Sequence, residues 1–479
     1  MSNGMTNSLM WFRNDLRVND NTALYHAGLT QNTIGLVILS PEQWKLHYEA
    51  PIKINFYLEH VKALNQQLEV LNIPLHVQII DHWNDIPEFI TNFCIAHNIQ
   101  NVYANIELGF NENKRDHYVH SLLAKNQIEF HSYHDRTIFP LSTIRNGKNE
   151  PYQVFSAFKR KCLEQLVISI PQPLAQPDKQ YTRIQTKLNT NLPSFEKLYP
   201  QSNLAQLYTA WEVGESKAKL KLLDFNEDKV TDYLLDRDFP NKNATSKLSK
   251  YLNIGVLSIR QCLEVLFSES HGNFEIKNEG QATWLNELIW REFYQHLIYD
   301  FPHLSKHQPF KSNTTKIVWL ESEQNFEAWK FGNTGIPIVD AGMREMLQTG
   351  WMHNRVRMIT AMFLTKNLLI DWRLGEKWFM QNLIDGDLSA NNGGWQWCAS
   401  TGTDSVPYFR IFNPISQSKK FDPNGEYIRK WVPELAHLDS KTIHEPFEKN
   451  DQLELNYPKP IVDLKMSRVR AINAFKSHL

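Results

Sequence analysis

Thr33-Ile-Gly-Leu-Val-Ile-Leu39 and Leu75-His-Val-Gln-Ile-Ile80 are short apolar, β-branched runs, and residues 52–71 between them carry a helical pattern. Strand-like runs joined through a helix, rather than a two-residue turn, make a βαβ unit with parallel strands. Working outward, residues 8–13, 101–104 and 129–133 are further strand-like runs, and residues 21–28, 85–97 and 111–125 further helical patterns. The first 138 residues are therefore expected to form a Rossmann-like α/β domain, a parallel sheet with helices on both faces. Ligands of such folds sit beyond the carboxyl ends of the strands.

From residue 139 to 203 the alternation dissolves. Pro171, Pro173, Pro177 and Pro193 lie among Gln, Thr and Asn, which reads as a long linker crossing the surface. Within it, the aromatic patch at residues 152–158 is expected to pin the linker to a domain. From residue 204 to 479 nearly everything reads as helix, for example residues 283–299 and 355–369. A large all-helical domain is expected there.

Composition narrows the class. At 42% hydrophobic and 22% charged, the chain is ordinary globular material, and no run approaches the ~18 consecutive apolar residues of a membrane span. Residues 1–9 are short and polar, so no signal peptide is expected. Cys94, Cys162, Cys262 and Cys398 lie far apart without metal spacing and read as reduced thiols of a cytoplasmic protein. Residues 1–135 hold 8 basic and 14 acidic side chains, leaving 43 and 38 for the remainder. That mild basic excess is compatible with a polyanionic partner, although most such charges are simply solvated.

The helical part carries the chemistry. In Asp385-Gly-Asp-Leu-Ser-Ala-Asn-Asn-Gly-Gly-Trp-Gln-Trp397, two acids and two amides crowd beside two indoles, and Asp387 and Asn391 are one helical turn apart. This reads either as a polar pocket for a flat heteroaromatic ligand or as a capped helix start with core tryptophans. Trp284, Glu287 and Arg291 share a helical stripe that borders a cavity or forms an exposed ion-paired face. Asn354, Arg357 and Met358 share another, and a buried Arg357 needs a carboxylate that Asp385 or Asp387 would supply. Thr245, Ser246 and Ser249 precede a helical pattern, as an anion site or an N-cap would. Ten of the fourteen tryptophans fall between residues 284 and 431. They are core packing and, near a redox cofactor, could serve as an electron relay as well.

Together with Trp11-Phe-Arg-Asn-Asp-Leu-Arg17 and Thr401-Gly-Thr-Asp-Ser-Val-Pro-Tyr-Phe-Arg-Ile-Phe-Asn-Pro414, these motifs resemble the DNA photolyase/cryptochrome family, specifically its class I cyclobutane pyrimidine dimer (CPD) photolyases. The resemblance covers nearly the whole chain. It implies that reduced FAD passes an electron, under blue light, to a flipped-out dimer in UV-damaged DNA, which splits into two pyrimidines. It also implies a monomer with no membrane attachment. The matching FAD positions are Tyr233, Thr245, Ser246, Leu248, Ser249, Trp284, Arg291, Arg357, Asp385, Asp387 and Asn391, with Asn391 facing the flavin N5. Glu287, Asn354 and Met358 match the dimer pocket. Trp395, Trp372 and Trp319 match the electron chain to the surface. Arg237, Trp290, Arg355, Trp397 and Arg410 match DNA contacts.

For the antenna, the resemblance implies 5,10-methenyltetrahydrofolate at Asn111, Glu112 and Lys306, with a deazaflavin as the alternative. Three neighbouring readings are weighed. A (6-4) photolyase would show a His-His pair in place of His353-Asn354 and a His in place of Met358. A cryptochrome photoreceptor would carry Asp or Cys in place of Asn391. A single-strand-preferring relative fits the dimer-pocket and linker motifs less well.

Overall fold

The computed structural model describes residues 7–30, 32–181, 184, 186–200, 211–448 and 454–476. The expected start of the helical part at residue 204 lies outside the described residues. The chain divides into two compact units, Met1–Val230 with Ser246–Ser305, and Thr231–Thr245 with Lys306–Leu479.

The first unit contains a five-stranded parallel sheet in the order β3-β2-β1-β4-β5, built from β1 (Asn7–Phe12), β2 (Thr33–Leu39), β3 (Leu75–Ile79), β4 (Ile99–Asn105) and β5 (Glu129–Tyr133). The helices α1 (Thr22–Gly28), α2 (Pro41–Leu46), α3 (Pro51–Val70), α4 (Ile86–Ala96) and α5 (Phe110–Lys125) connect these strands. The central strands β1 and β2 are covered on both faces, which is why they read as unbroken apolar runs. The edge strand β5 is only partly buried and more polar. Among the connections between these strands, sequence reading missed α2, a short helix opened by Pro41 and too brief to show a period.

The stretch expected as linker holds a 14-residue helix, α6 (Phe155–Ile168). Its buried Phe155, Phe158, Cys162 and Leu166 recur at helical spacing, a signal masked by the surrounding proline-rich sequence. The aromatic patch does pin this segment. Phe155 stacks on Trp290 with ring centroids 3.5 Å apart, and Phe158 packs against Phe293 and His296. Those partners lie on α12 (Glu279–Asp300), reached through α7 (Phe195–Leu198), α8 (Glu215–Asp228), α9 (Tyr233–Asp236), α10 (Ser249–Asn253) and α11 (Ile259–Leu266).

Buried charge ties α11 to the sheet. Arg260 donates to Asp20 at 2.8 Å and to Asp135 at 2.7 Å, and Arg17 donates to Asp135 at 2.6 Å. All four side chains are nearly excluded from solvent. Burial alone would raise Asp135, but the guanidiniums of Arg17 and Arg260 overcome it and hold the carboxyl below the usual range. Beside them Gly255, at φ +68°, presses on the main chain of Asn14 and Asp15 so closely that any Cβ would clash.

The second unit is helical: α13 (Glu323–Lys330), α14 (Pro337–Thr349), α15 (Asn354–Met362), α16 (Trp372–Asn382), α17 (Leu388–Ala399), α18 (Pro414–Phe421), α19 (Glu426–Trp431) and α20 (Leu464–Lys476). The helical pattern expected over residues 355–369 continues past α15 as a π-helical turn, Phe363–Asn367. One large core, from Trp329 to Tyr457, fills this unit. Among the described residues no helix is long and apolar enough to cross a membrane.

Arg260→Leu strands the carboxylates of Asp20 and Asp135 in the interior. Breaking a buried pair this way costs roughly 3–5 kcal/mol, so thermal unfolding monitored by circular dichroism should show a clear drop in midpoint, whereas Lys45→Leu, at an exposed pair, should leave it nearly unchanged.

Candidate functional site

In the second unit a cavity opens between α15, α16 and α17. It is lined by Arg357, Asp385, Asp387, Asn391 and Trp395, with Asn354 and Met358 among its wall residues. The carboxylate that Arg357 requires is Asp385, which accepts from Nη2 through both oxygens at 3.0 Å. Arg357 Nε donates to the carbonyl of Met352 at 2.8 Å, so the guanidinium is held at both ends.

The Asp385–Trp397 segment both opens a capped helix and lines this cavity. Asp387 is the N-cap of α17, its side chain accepting from Ala390 N at 2.9 Å, and the same residue lines the cavity. Asn391 donates from Nδ2 to the carbonyl of Glu376 at 2.9 Å, which leaves its amide oxygen as the atom to offer the cavity. Glu376 also accepts from Asn392 at 2.8 Å. No sequence motif singles it out, because it is a lone acid in a helix of mixed composition.

Trp395 is buried and its Nε1 meets no protein acceptor. Its ring lies on Gly375, where an added Cβ would come within 2.2 Å of the indole. Trp372, one turn earlier on α16, is equally buried in the same core. Trp319 is half-buried and meets Phe475 edge-on at 5.8 Å. Thr245 Oγ1 is buried without a hydrogen-bond partner, so this hydroxyl is available to an acceptor from outside the chain. Tyr233 is buried under the Arg237 guanidinium, 5.2 Å from its ring.

In the first unit, Trp284 is buried against Phe225 at 5.1 Å, and Glu287 and Arg291 follow it on α12, both half-buried. Arg291 donates to the carbonyl of Arg136 at 2.9 Å. Ser246 and Leu248 precede α10, whose N-cap position is Leu248, and no side chain caps that helix. The N-cap reading of the Thr245–Ser249 stretch is thus not realised.

A second cavity lies at the carboxyl ends of β1, β2 and β4, where doubly wound folds place ligands. Glu112 lines it, and desolvation together with the Glu107 carboxylate pushes its carboxyl up to about 7. The Arg115 guanidinium sits between the Trp11 and Trp83 rings, 4.8 and 4.5 Å from their centroids. Asn111 is exposed and hydrogen-bonds His47 at 3.1 Å. Lys306 is exposed in the second unit. Arg115, Trp83 and His47 escaped the sequence reading, because isolated residues on different elements leave no local pattern.

Residues 284–477 match the family model described as the FAD binding domain of DNA photolyase, and residues 8–178 match the one described as DNA photolyase. The chain belongs to the DNA photolyase family. It is 42% identical to a deoxyribodipyrimidine photo-lyase of Buchnera aphidicola over 98% of this chain and 97% of that one. It is 41% identical to that of Escherichia coli over 99% of both. A bacterial class III photolyase from Agrobacterium tumefaciens matches with a TM-score of 0.86 at 33% identity, covering 100% of this chain and 98% of that one. A Synechocystis cryptochrome gives a TM-score of 0.86 at 28% identity over 99% and 100%.

For a photolyase the DNA-contact candidates are unevenly free. Arg410 is exposed. Arg355 pairs with Asp238 at 2.7 Å and lies over Phe421 at 4.5 Å. Trp290 has one face covered by Phe155, and Trp397 is half-buried.

Gly375→Ala should push the Trp395 ring or α16 aside at a cost of about 1–3 kcal/mol, as overpacking does. The checks are a lowered unfolding midpoint and a changed tryptophan fluorescence spectrum, and no change in either would mean that the ring relaxes freely.

Proposed function

We infer that this chain is a light-dependent DNA-repair enzyme that uses FAD to split cyclobutane pyrimidine dimers, and we propose that it is of class I with a folate antenna. The carrying observation is the Arg357–Asp385 clamp beside an Asn391 whose amide oxygen is left for the cavity. Bound reduced FAD supplies the light-driven chemistry, one electron that goes to the dimer and returns once the ring has opened.

The residues present fit such a cofactor. The orphaned Thr245 hydroxyl suits a phosphate oxygen, with Tyr233, Ser246, Leu248, Ser249, Trp284 and Arg291 as the remaining contacts. Asp385 and Asp387 offer acceptors to the N–H groups of a flavin edge, and Arg357 balances their charge. Asn391, as an amide, accepts a hydrogen bond without giving up a proton, which suits an electron donor held reduced.

Glu287 is assigned to hold the pyrimidine edge, with Asn354 and Met358 shaping the dimer pocket. Extrusion of the dimer costs a few kcal/mol, least for damaged bases. Arg237, Arg355 and Arg410, with the indoles Trp290 and Trp397, are assigned to the DNA backbone and bases, giving salt-dependent binding without sequence preference. Asn111, Glu112 and Lys306 are assigned to methenyltetrahydrofolate. The cryptochrome reading shares the fold, so the decision rests on Asn391 and on turnover.

Blue light on the reduced protein should restore dimer-containing DNA and leave (6-4) lesions intact; dark binding without repair would instead favour the photoreceptor. Glu287→Ala should lower repair yield about 10-fold or more while FAD stays bound, the scale of losing a hydrogen bond to a charged group worth about 1.5 kcal/mol or more. Unchanged yield removes Glu287 from the mechanism.

Trp319→Phe should slow photoreduction of oxidised FAD, followed by absorbance, with repair by prereduced enzyme preserved. Unaltered photoreduction would mean that electrons leave by another route.

A further inference from the structure

One hydrogen-bonded circuit in the second unit runs from solvent to the wall of the α15–α17 cavity. His307 has 43% of its side chain exposed, and its Nδ1 lies 2.8 Å from a carboxylate oxygen of Glu376, whose side chain is 2% exposed. With a carboxylate as acceptor, Nδ1 carries the hydrogen and Nε2 is left as the titrating atom. The other oxygen of Glu376 accepts from Asn392 Nδ2 at 2.8 Å, and Asn392 Oδ1 accepts from Gln396 Nε2 at 2.9 Å. Gln396 closes the ring on the segment after His307, accepting from Phe310 N at 2.8 Å and donating to Gln308 O at 3.2 Å.

The main-chain carbonyl of Glu376 accepts the Asn391 amide. His307 thus bears on both features that orient Asn391, the segment Glu376 occupies and the start of α17. His307 also holds φ at +55°, a left-handed conformation that few residues other than glycine adopt, and the turn it makes delivers the ring to α16.

We propose that His307 is a positioning residue for the cofactor site: its charge, through Glu376, sets the electrostatic potential and the amide geometry that Asn391 presents to the flavin. With the imidazole protonated, Glu376 is half of a neutral pair. With it deprotonated, one uncompensated negative charge remains next to the Asn391 anchor, in a buried place where screening is weak. Added electron density on the flavin is then disfavoured.

The other charges around His307 do not duplicate this role. Arg373 donates to the His307 carbonyl at 2.8 Å, but its guanidinium is paired with Asp371 at 2.9 Å. Lys306 is exposed. The hydrogen bond to Glu376 raises His307 above the ordinary histidine value, against partial burial and the nearby Arg373. A raised value in the folded state means that the pair is complete at low pH and is lost as pH rises through the raised value.

The proposal rests on Asn391 lying beside the flavin, and the test separates the two. The midpoint potential of the flavin in the holoprotein is measured across roughly pH 5 to 9 for wild type, His307→Gln, Glu376→Gln and Asn391→Asp. His307→Gln keeps a donor without a titrating charge. Its potential should lie below wild type at low pH and coincide with it once His307 has deprotonated. Glu376→Gln should remove the pH-dependent offset from the other direction, with a potential above wild type at high pH. In parallel, the His307 ring resonance should titrate above the free-histidine value in wild type and fall back in Glu376→Gln.

An offset between wild type and His307→Gln that is absent, or constant with pH, overturns the proposal if Asn391→Asp does shift the potential. If Asn391→Asp leaves the potential unmoved, the placement of Asn391 fails and the proposal fails with it.

Discussion

Two arginines and two aspartates taken out of water together organise the first unit. Arg17, Asp20 and Asp135 come from turns at one end of the sheet, and Arg260 comes from α11, more than a hundred residues later. None could be buried alone, since an unpaired interior charge costs several kcal/mol. The four therefore require α11 to be docked on the sheet before the unit is stable. Glu292 on α12 extends the same constraint by accepting from the main chain at Ile138 and Phe139. This is why residues 246–305 belong to the same compact unit as the sheet, although by pattern they are ordinary members of a helical region.

The second unit solves a different problem. It gives the acids and amides around a cavity partners within the protein. Asp385 has Arg357, Asp387 has the start of α17, and Asn391 and Asn392 share Glu376. Asp385, Asp387 and Asn391 are each held by a partner in the protein and also line the cavity, while Asn392 is engaged at both ends, by Glu376 and Gln396. That anchoring makes the site rigid before a ligand arrives, which is the condition for electrostatic tuning of a bound cofactor. Trp395 and Trp372 fill the core of this unit.

Most of the strands and long helices were legible because their apolar residues recur with one clear period over enough residues. The exceptions are instructive. α2 was too short to show a period, and α6 was hidden by proline-rich flanks, although Phe155, Phe158, Cys162 and Leu166 keep helical spacing. At the site, the residues found from sequence were those in dense local motifs, such as Asp385, Asp387 and Asn391. Glu376 and His307 were not, because each gains its meaning from a partner on another element.

By itself, the sequence determined the alternation of strands and helices, the need of Arg357 for a carboxylate, and the family to which the motifs belong. These follow from local periodicity, from the cost of burying charge, and from long motifs in a fixed order. Tertiary structure alone decided that Asp385 rather than Asp387 pairs with Arg357, and that Asp387 caps a helix. It also decided that the Asn391 amide is oriented by a main-chain carbonyl fifteen residues away. The physical reason is that hydrogen bonds select among equivalent donors and acceptors by distance and direction, and only the folded backbone supplies those.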